Sequence, residues 1–316
     1  MSTLEHHQGA PRGVIVGADG SPPSNAAINW AAREAALHKV PLTVVHILQS
    51  PAMIGWTDPL ALPGYAQWQE TRGHDVLREA TQLAEVVTSG VGSVDIGSEL
   101  LTGPAIPALI DLSKDAHMLV VGCRGLKAVG RAVLGSVSSA LVHHAHCPVA
   151  VIHEGEFSET APVVVGIDGS PVSEEAVAIA FDEASRRAVD LVAVHAWSDA
   201  GVLDFPGFDF TPLRNAANEV LAERLAGWQE RYPDVKVERV VAFDRPAPQL
   251  LLHSQRAQLV VVGSHGRGGF AGMLLGSVSS AVVNSAKVPV VVVRHTCRRR
   301  PGSTRQTTAA PPPVCM

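Results

Sequence analysis

The strongest constraint on the fold of this chain is an internal repeat. The segment GVIVGADGSPPS at residues 13–24 returns as VVVGIDGSPVS at residues 163–173. A second pair, VVGCRGLKAVGRAVLGSVSSALV at 120–142 and VVGSHGRGGFAGMLLGSVSSAVV at 261–283, follows in the same order. Because self-similarity on this scale indicates duplication of a whole folding unit, the sequence predicts two copies of one domain.

Length and composition agree with two domains and narrow the class of partner. The 316 residues, 46% of them hydrophobic, are enough for two cores of ordinary size. The net charge of -5 and the pI of about 6.3 give no general attraction to nucleic acid or anionic membranes. Small molecules and proteins are therefore the expected partners. No apolar run is long enough to cross a bilayer and no leader segment is evident, which predicts a cytoplasmic protein.

Short apolar runs rich in β-branched residues alternate with longer segments of helical period, which is typical of an α/β fold. Runs such as LVVVG at 259–263 are apolar throughout and must be covered on both faces, as in a parallel sheet flanked by helices. We predict two tandem Rossmann-like domains, each with five parallel strands. The strands are expected near residues 13–18, 42–48, 94–101, 118–122, 148–153, 162–167, 190–197, 235–242, 258–263 and 289–294.

The expected domain boundaries follow from the repeat. Domain 1 is expected to span residues 13–154 and domain 2 residues 162–295, with an acidic join between them. Residues 1–12 and the arginine-containing tail 296–316 lack an apolar pattern and are expected to be disordered. A solvated tail is favoured over an anion or nucleic-acid contact.

An aspartate follows the first strand of each copy. Asp19 lies in GADGS and Asp168 in GIDGS, so each carboxylate is expected at the carboxyl end of the sheet, where ligands of open α/β sheets bind. A carboxylate there commonly accepts hydrogen bonds from ribose hydroxyls. The alternative is an aspartate that only caps the following helix.

A glycine loop follows the fourth strand of each copy. In both copies the pattern is Gly-x-x-Gly, nine residues, then Gly-Ser. Glycines allow backbone N–H groups to approach a polyphosphate, and Gly-Ser at a helix start adds a hydroxyl and the positive end of the helix dipole. Recurrence of the loop together with the aspartate makes a phosphate-binding loop the favoured interpretation.

With these residues, the chain resembles the ATP-binding members of the universal stress protein family over nearly its whole length, the two tails excepted. Those members carry G-x-x-G, nine residues, then G-S or G-T, and both copies match. The resemblance implies adenine nucleotide alpha hydrolase-like domains of strand order 3-2-1-4-5, with a nucleotide at the switch between strands 1 and 4. It also implies ATP as the ligand, two molecules per chain, and allows Mg²⁺ to accompany the phosphates.

The resemblance assigns roles by position. Adenine is expected beside Ile47 in the first copy and Ala196 in the second, and the ribose on the two aspartates. The phosphates are expected on the glycine loops. The residues implied there are Gly122, Gly125, Gly135, Ser136, Gly263, Gly266, Gly276 and Ser277, with added hydroxyls from Ser138 and Ser279. The first loop has Leu126-Lys127 where the second has Arg267-Gly268, which predicts unequal affinities.

The tandem layout is similar to that of mycobacterial and actinobacterial members, which are associated with hypoxia, dormancy and growth control. The implied function is ATP-dependent regulation of an unidentified protein partner. No G-x-x-x-x-G-K-[ST] sequence occurs, so fast hydrolysis is not expected and no catalytic residue is assigned. Two alternatives remain open: a slow ATPase or adenylate-using enzyme, and a nucleotide-free interaction scaffold.

Two further motifs were weighed. The HHAHC cluster at 143–147 has helical spacing suited to a metal, but the second copy lacks it, so a structural role is favoured and no metal site is assigned. Cys123 lies beside Arg124, which would favour thiol oxidation, although a small Ser-like residue is the preferred interpretation because the second copy has Ser264. His46 and His195 are expected to pack at strand ends.

The fifth strand of each copy would lie at a sheet edge although PVAVI and PVVVV are strongly apolar. Such edges need to be covered. We therefore predict that the two copies pair through these strands as an internal pseudo-dimer, and that two chains can associate further.

Overall fold

The computed structural model describes residues 12–48, 64–90, 92–125, 134–153, 155, 158–196, 211–266 and 275–294. Both tails predicted to be disordered, 1–12 and 296–316, lie outside the described residues apart from Arg12. Within those ranges the chain forms ten strands and eight helices, and the α/β prediction is confirmed.

Strands and helices alternate along the first half. Its elements are β1 (Arg12–Gly17), α1 (Pro22–His38), β2 (Leu42–Leu48), α2 (Tyr65–Ser89), β3 (Ile96–Thr102), α3 (Ala105–Leu112), β4 (Ala116–Gly122), α4 (Ser136–His144) and β5 (Val149–Ile152).

The second half repeats this order. Its elements are β6 (Val163–Gly166), α5 (Pro171–Arg187), β7 (Leu191–Ala196), α6 (Thr211–Arg231), β8 (Val237–Ala242), α7 (Pro246–Ser254), β9 (Leu259–Gly263), α8 (Ser277–Ser285) and β10 (Val290–Val293). All ten predicted strands are present, and no end is displaced by more than two residues.

The strands form one sheet in the order β3-β2-β1-β4-β5-β10-β9-β6-β7-β8. Every pair within a half is parallel, whereas β5 and β10 are antiparallel. Each half therefore has the order 3-2-1-4-5, and the two fifth strands meet in the middle of the sheet. The apolar fifth strands, β5 and β10, would each lie exposed at a sheet edge in a single domain. They cover each other, as predicted.

The sheet is covered on both faces because its apolar residues alternate between two core layers. In β1, Val14 and Val16 join the layer containing α1, α2, α5 and α6, while Ile15 joins the layer containing α3, α4, α7 and α8. All three side chains are fully buried. The near-continuous apolar runs of the sequence thus serve two layers at once.

The two halves also meet through the equivalent helices α1 and α5. We call the contact formed by β5, β10, α1 and α5 the inter-half interface. A buried charged cluster lies within it: Arg187 donates to Glu34 Oε2 at 2.6 Å and to Glu183, and His38 Nε2 lies 3.0 Å from Glu34 Oε1 and 3.1 Å from Glu183 Oε1. Glu34 and Glu183 are at most 1% exposed. Two carboxylates are thus balanced by two cations from opposite halves.

Burial and charge pairing shift the titration of this cluster. Burial alone would lower the pKa of His38, but hydrogen bonds to Glu183 and Glu34 raise it to about 9. Burial and the neighbouring Glu34 raise the pKa of Glu183 to about 7. Burial opposes the ionisation of Glu34, yet the charge of Arg187 holds the pKa of that carboxyl well below its usual range. The folded chain therefore keeps His38 protonated at neutral pH.

The first prediction concerns pH and stability. The pKa of His38 rises from 6.5 to about 9 on folding, so the stability it contributes is complete below pH 6.5 and is lost as the pH rises through 9. We expect the free energy of unfolding, measured with urea, to fall by roughly 2 to 3 kcal/mol across that range. His38→Gln should flatten the profile, whereas His74→Gln, an exposed histidine on α2, should leave it unchanged. Parallel profiles for the wild type and His38→Gln would refute this assignment.

The second prediction concerns the strand pair β5–β10. Its register, Val290 to Val151, Val291 to Ala150 and Val292 to Val149, places both strands in the interior of the sheet. Hydrogen exchange followed by mass spectrometry should show their amides exchanging at least about tenfold more slowly than those of the outer strands β3 and β8. Equal exchange in all four strands would contradict the pairing.

Candidate functional site

The predicted site residues come together in two equivalent cavities. In each half the first and fourth strands are neighbours whose crossover helices lead to opposite sides, so a crevice opens at their carboxyl ends. The cavity of the first half is about 420 Å³ and that of the second about 270 Å³. The first is lined by all seven residues predicted there, Asp19, Ile47, Gly122, Gly125, Gly135, Ser136 and Ser138. The second is lined by Asp168, Ala196, Gly263, Gly266, Gly276, Ser277 and Ser279.

The aspartates are held by the turn that leaves the first strand. Asp19 Oδ1 accepts from Ser21 N at 3.0 Å and from Ser21 Oγ at 2.5 Å, and Asp19 N donates to Ser24 Oγ at 3.1 Å. In the second half, Asp168 Oδ1 accepts from Ser170 N at 2.9 Å. One carboxylate oxygen of each aspartate therefore fixes the turn.

The helix after this turn is capped by a serine, not by the aspartate. Ser21 is the N-cap of α1 and its side chain accepts from Ser24 N at 3.3 Å. Ser170 caps α5 in the same way, accepting from Ser173 N at 3.2 Å. The capping explanation considered for the aspartates does not describe their geometry.

The second carboxylate oxygen points towards the glycine loop. A Cβ atom placed on Gly125 would lie 2.6 Å from Asp19 Oδ2, and one on Gly266 would lie 2.4 Å from Asp168 Oδ2. Both distances are shorter than van der Waals contact. The glycine at this position therefore leaves room for the carboxylate to lie directly against the loop.

The strand-end histidines hold the backbone next to the aspartates. His46 Nδ1 lies 2.6 Å from Ala18 O, and His195 Nδ1 lies 2.7 Å from Ile167 O. Because a carbonyl oxygen can only accept, the proton lies on Nδ1. These histidines pack at strand ends as predicted, and they also position the residue that precedes each aspartate.

The glycine loops lead into helices whose first turns are uncapped. Gly135 N donates to Cys123 O at 2.8 Å, and Gly276 N donates to Ser264 O at 2.7 Å, which fixes the end of each loop. Gly135 and Gly276 are the N-caps of α4 and α8, and as glycines they offer no side-chain cap to the first turn. The free N–H groups and the helix dipole make each cavity suited to an anion.

Ser138 and Ser279 are buried behind the loops. Ser138 Oγ donates to Cys123 O and to Gly135 O, both at 3.0 Å, and Ser279 Oγ donates to Gly263 O at 2.5 Å. Each hydroxyl proton is thus used to hold the loop. Only the oxygen lone pairs remain for a further contact.

Several lining residues were not predicted. Arg124 in the first cavity and His265 in the second stand at equivalent places within the Gly-x-x-Gly loops. Leu109 of α3 and Leu250 of α7 form apolar walls. The repeat aligns Arg124 with His265, so the sequence could have identified these two residues. The leucines belong to helices whose sequence gives no sign of which face lies against a cavity.

The cysteines of the two other motifs are both buried. Cys147 is buried, which raises the pKa of its thiol to about 12 and disfavours the thiolate that a metal needs. Cys123 is also buried. Among the described residues, the group with metal-ligand spacing is Glu34, His38 and Glu183, and there Arg187 already supplies the balancing charge.

Two further expectations are limited by the described ranges. The loop difference between Leu126-Lys127 and Arg267-Gly268 lies outside them. Of the helices within them, none combines the length and the apolar character that a bilayer span requires.

Comparison with known proteins agrees with the repeat. The model of the universal stress protein family matches residues 12–153 and again residues 160–294. A universal stress protein of Mycobacterium tuberculosis is 51% identical over 287 residues, covering 90% of this chain and 96% of its own length. A second one from the same organism is 52% identical over 288 residues, covering 90% and 97%.

Solved structures agree at the level of the fold. The crystal structure of a universal stress protein from Archaeoglobus fulgidus matches with a TM-score of 0.69 at 18% identity, covering 90% of this chain and 98% of that one. The family model matches both halves, and relatives that are 51% and 52% identical align over nearly their whole length. This chain therefore belongs to the universal stress protein family and carries the family domain twice.

Proposed function

We propose that this chain is a cytoplasmic regulator that binds ATP at two sites, one in each half, and acts in stress response, dormancy or growth control. The observation that carries the proposal is the same in both halves. A helix N-terminus that begins with glycine and an oriented carboxylate line the same cavity at the topological switch point. These are the groups that phosphates and a ribose require.

The cavity walls fit the parts of a nucleotide in sequence. In this proposal the phosphates bind the backbone N–H groups at the start of α4, the ribose binds Asp19, and adenine lies against the apolar wall of Val45, Ile47 and Leu109, all of which line the first cavity. In the second half the same positions are the start of α8, Asp168, and a wall of Val194, Ala196 and Leu250. A largely apolar pocket with few oriented polar groups is typical of a small-molecule site.

Mg²⁺ is expected to bind only together with the nucleotide phosphates. Among the described residues that line the cavities, Asp19 is the one carboxylate in the first and Asp168 in the second. A single carboxylate partly used by its own turn is a weak cation site, whereas Mg²⁺ is usually held jointly by substrate phosphates and one or two carboxylates.

The geometry favours binding over turnover. No lysine is present among the described lining residues, and the histidine beside each aspartate is committed to a backbone carbonyl. We propose that occupancy stabilises one state of the chain, or of a homodimer, that an unidentified protein partner recognises. The two sites are expected to differ in affinity because Arg124 is a permanent cation and its counterpart His265 is not.

The third prediction tests the sites through the aspartates. Protein purified without added nucleotide should release about two molecules of ATP per chain on denaturation. The double variant Asp19→Ala/Asp168→Ala should release none, because the ribose contact and the turn are both lost. The matched control is Asp115→Ala/Asp190→Ala, which removes one exposed aspartate per half at the opposite ends of strands β4 and β7.

The outcomes separate the alternatives. Release of ADP, with added ATP consumed, would favour a slow ATPase over a binding protein. No released nucleotide and no heat on titration with ATP would overturn the proposal and favour a nucleotide-free scaffold. Equal loss in the control variant would show that the aspartates act on folding, not on binding.

The fourth prediction uses the space beside Gly125. In a chain carrying Asp168→Ala, so that the first site alone reports, Gly125→Ala should weaken ATP binding roughly tenfold, equal to about 1.4 kcal/mol. The added Cβ would displace Asp19 Oδ2, which lies 2.6 Å from its position. Gly97→Ala on β3 is the control, because a Cβ there has no neighbour within 4 Å. Unchanged affinity in calorimetric titration would place the ribose elsewhere.

A further inference from the structure

Each glycine-loop helix begins at its own cavity and ends against the other half of the chain. Helix α8 starts at Ser277, which lines the second cavity. At its other end, Val283 O accepts a hydrogen bond at 2.9 Å from Nε2 of His153, the residue that follows β5 of the first half. Burial lowers the pKa of His153, so the ring is a neutral donor through Nε2. A side chain of the first half thus caps a helix that begins in the second site.

The reciprocal contact is present at the equivalent position. Helix α4 starts at Ser136, which lines the first cavity. Its last turn is bound by Arg294, which follows β10 of the second half and donates to Val142 O at 3.2 Å and to His143 O. A cation at a helix C-terminus is favoured by the helix dipole. Both helices are therefore capped across the inter-half interface.

The capping residues are directly connected to the glycine loops. Ile152, the neighbour of His153 in sequence, accepts from Cys123 N at 2.8 Å. Val293, the neighbour of Arg294, accepts from Ser264 N at 2.6 Å. Cys123 lies inside the first Gly-x-x-Gly loop and Ser264 inside the second. A displacement of either helix is thus transmitted to the opposite loop through one side chain and one peptide.

A third contact joins α8 to the first site. Leu134 N, next to Gly135, donates to Asn284 Oδ1 at 3.3 Å. Asn284 is oriented by its own helix, because its Nδ2 donates to Ser280 O at 2.7 Å. The equivalent residue of the first half is His143, so this link is specific to one direction. The residue that precedes the phosphate-binding turn of the first site is held by the second half.

We infer that the two nucleotide sites are thermodynamically coupled, so that occupancy of either raises the affinity of the other. This inference rests on the proposed ATP binding. A nucleotide that fixes the first turn of α8 also fixes Val283 O, and through His153 it orders the loop of the first site before a ligand arrives. The second ligand then loses less conformational entropy, which is positive cooperativity. Coupling must be reciprocal, and the structure provides a contact in each direction.

The test, which is the fifth prediction, compares ATP affinities by calorimetric titration of the full chain. Asp168→Ala closes the second site and Asp19→Ala the first. Closing either site should weaken ATP binding at the remaining one by at least about fivefold, and by the same factor in both directions. In a chain that also carries His153→Ala, closing one site should weaken binding at the other by a smaller factor, less than about threefold, because the Arg294 and Asn284 contacts remain. His74→Ala, an exposed histidine on α2, is the matched control and should retain the full coupling.

A second variant tests the same coupling in case His153→Ala does not fold. Arg294→Ala removes the contact to α4 and should also reduce the coupling, whereas Arg294→Lys keeps a cation and should preserve most of it. If ATP binds at both sites and closing one leaves the other unchanged, the coupling is refuted and the proposed function stands. If the full coupling persists in both alanine variants, the assigned route is wrong. Absence of ATP binding at either site overturns the proposed function and this inference together.

Discussion

The antiparallel pairing of β5 with β10 is the interaction on which the rest of the structure depends. Both strands are apolar throughout and fully buried, so neither half has a stable outer edge on that side without the other. The pairing turns two five-stranded sheets into one and brings α1 against α5. There, each of the buried carboxylates Glu34 and Glu183 has one cationic partner on its own helix and a second from the other half.

The sites depend on the same arrangement. Each cavity opens where the crossover helices diverge. Its polar groups are held in position by hydrogen bonds that involve the backbone. Asp19 is oriented by Ser21 and the glycine loop is closed by Gly135, and the strands that these residues follow, β1 and β4, lie in the interior of the sheet. These contacts hold the carboxylate in one orientation before a ligand arrives.

Much of this was accessible from the sequence, for identifiable reasons. The apolar runs identify the inner strands, since a segment such as LVVVG has no stable place except between two layers of helices. The repeat placed Asp19 and Asp168, and the glycine spacing placed the loops. The position of Leu109 at the cavity and the pairing of Glu34 with Arg187 could not be predicted. Which face of a helix meets a cavity, and which buried charges meet across an interface, depends on tertiary packing that no local pattern records.

The central strand pair also sets the order of events during synthesis. The first half completes β5 on the ribosome while its partner strand, β10, is still on the order of 140 residues from being made, a delay on the order of ten seconds at ordinary elongation rates. During that interval a finished domain exposes a bare valine-rich edge to every neighbouring nascent chain. Until β10 is made, that edge is open to pairing with any other exposed strand.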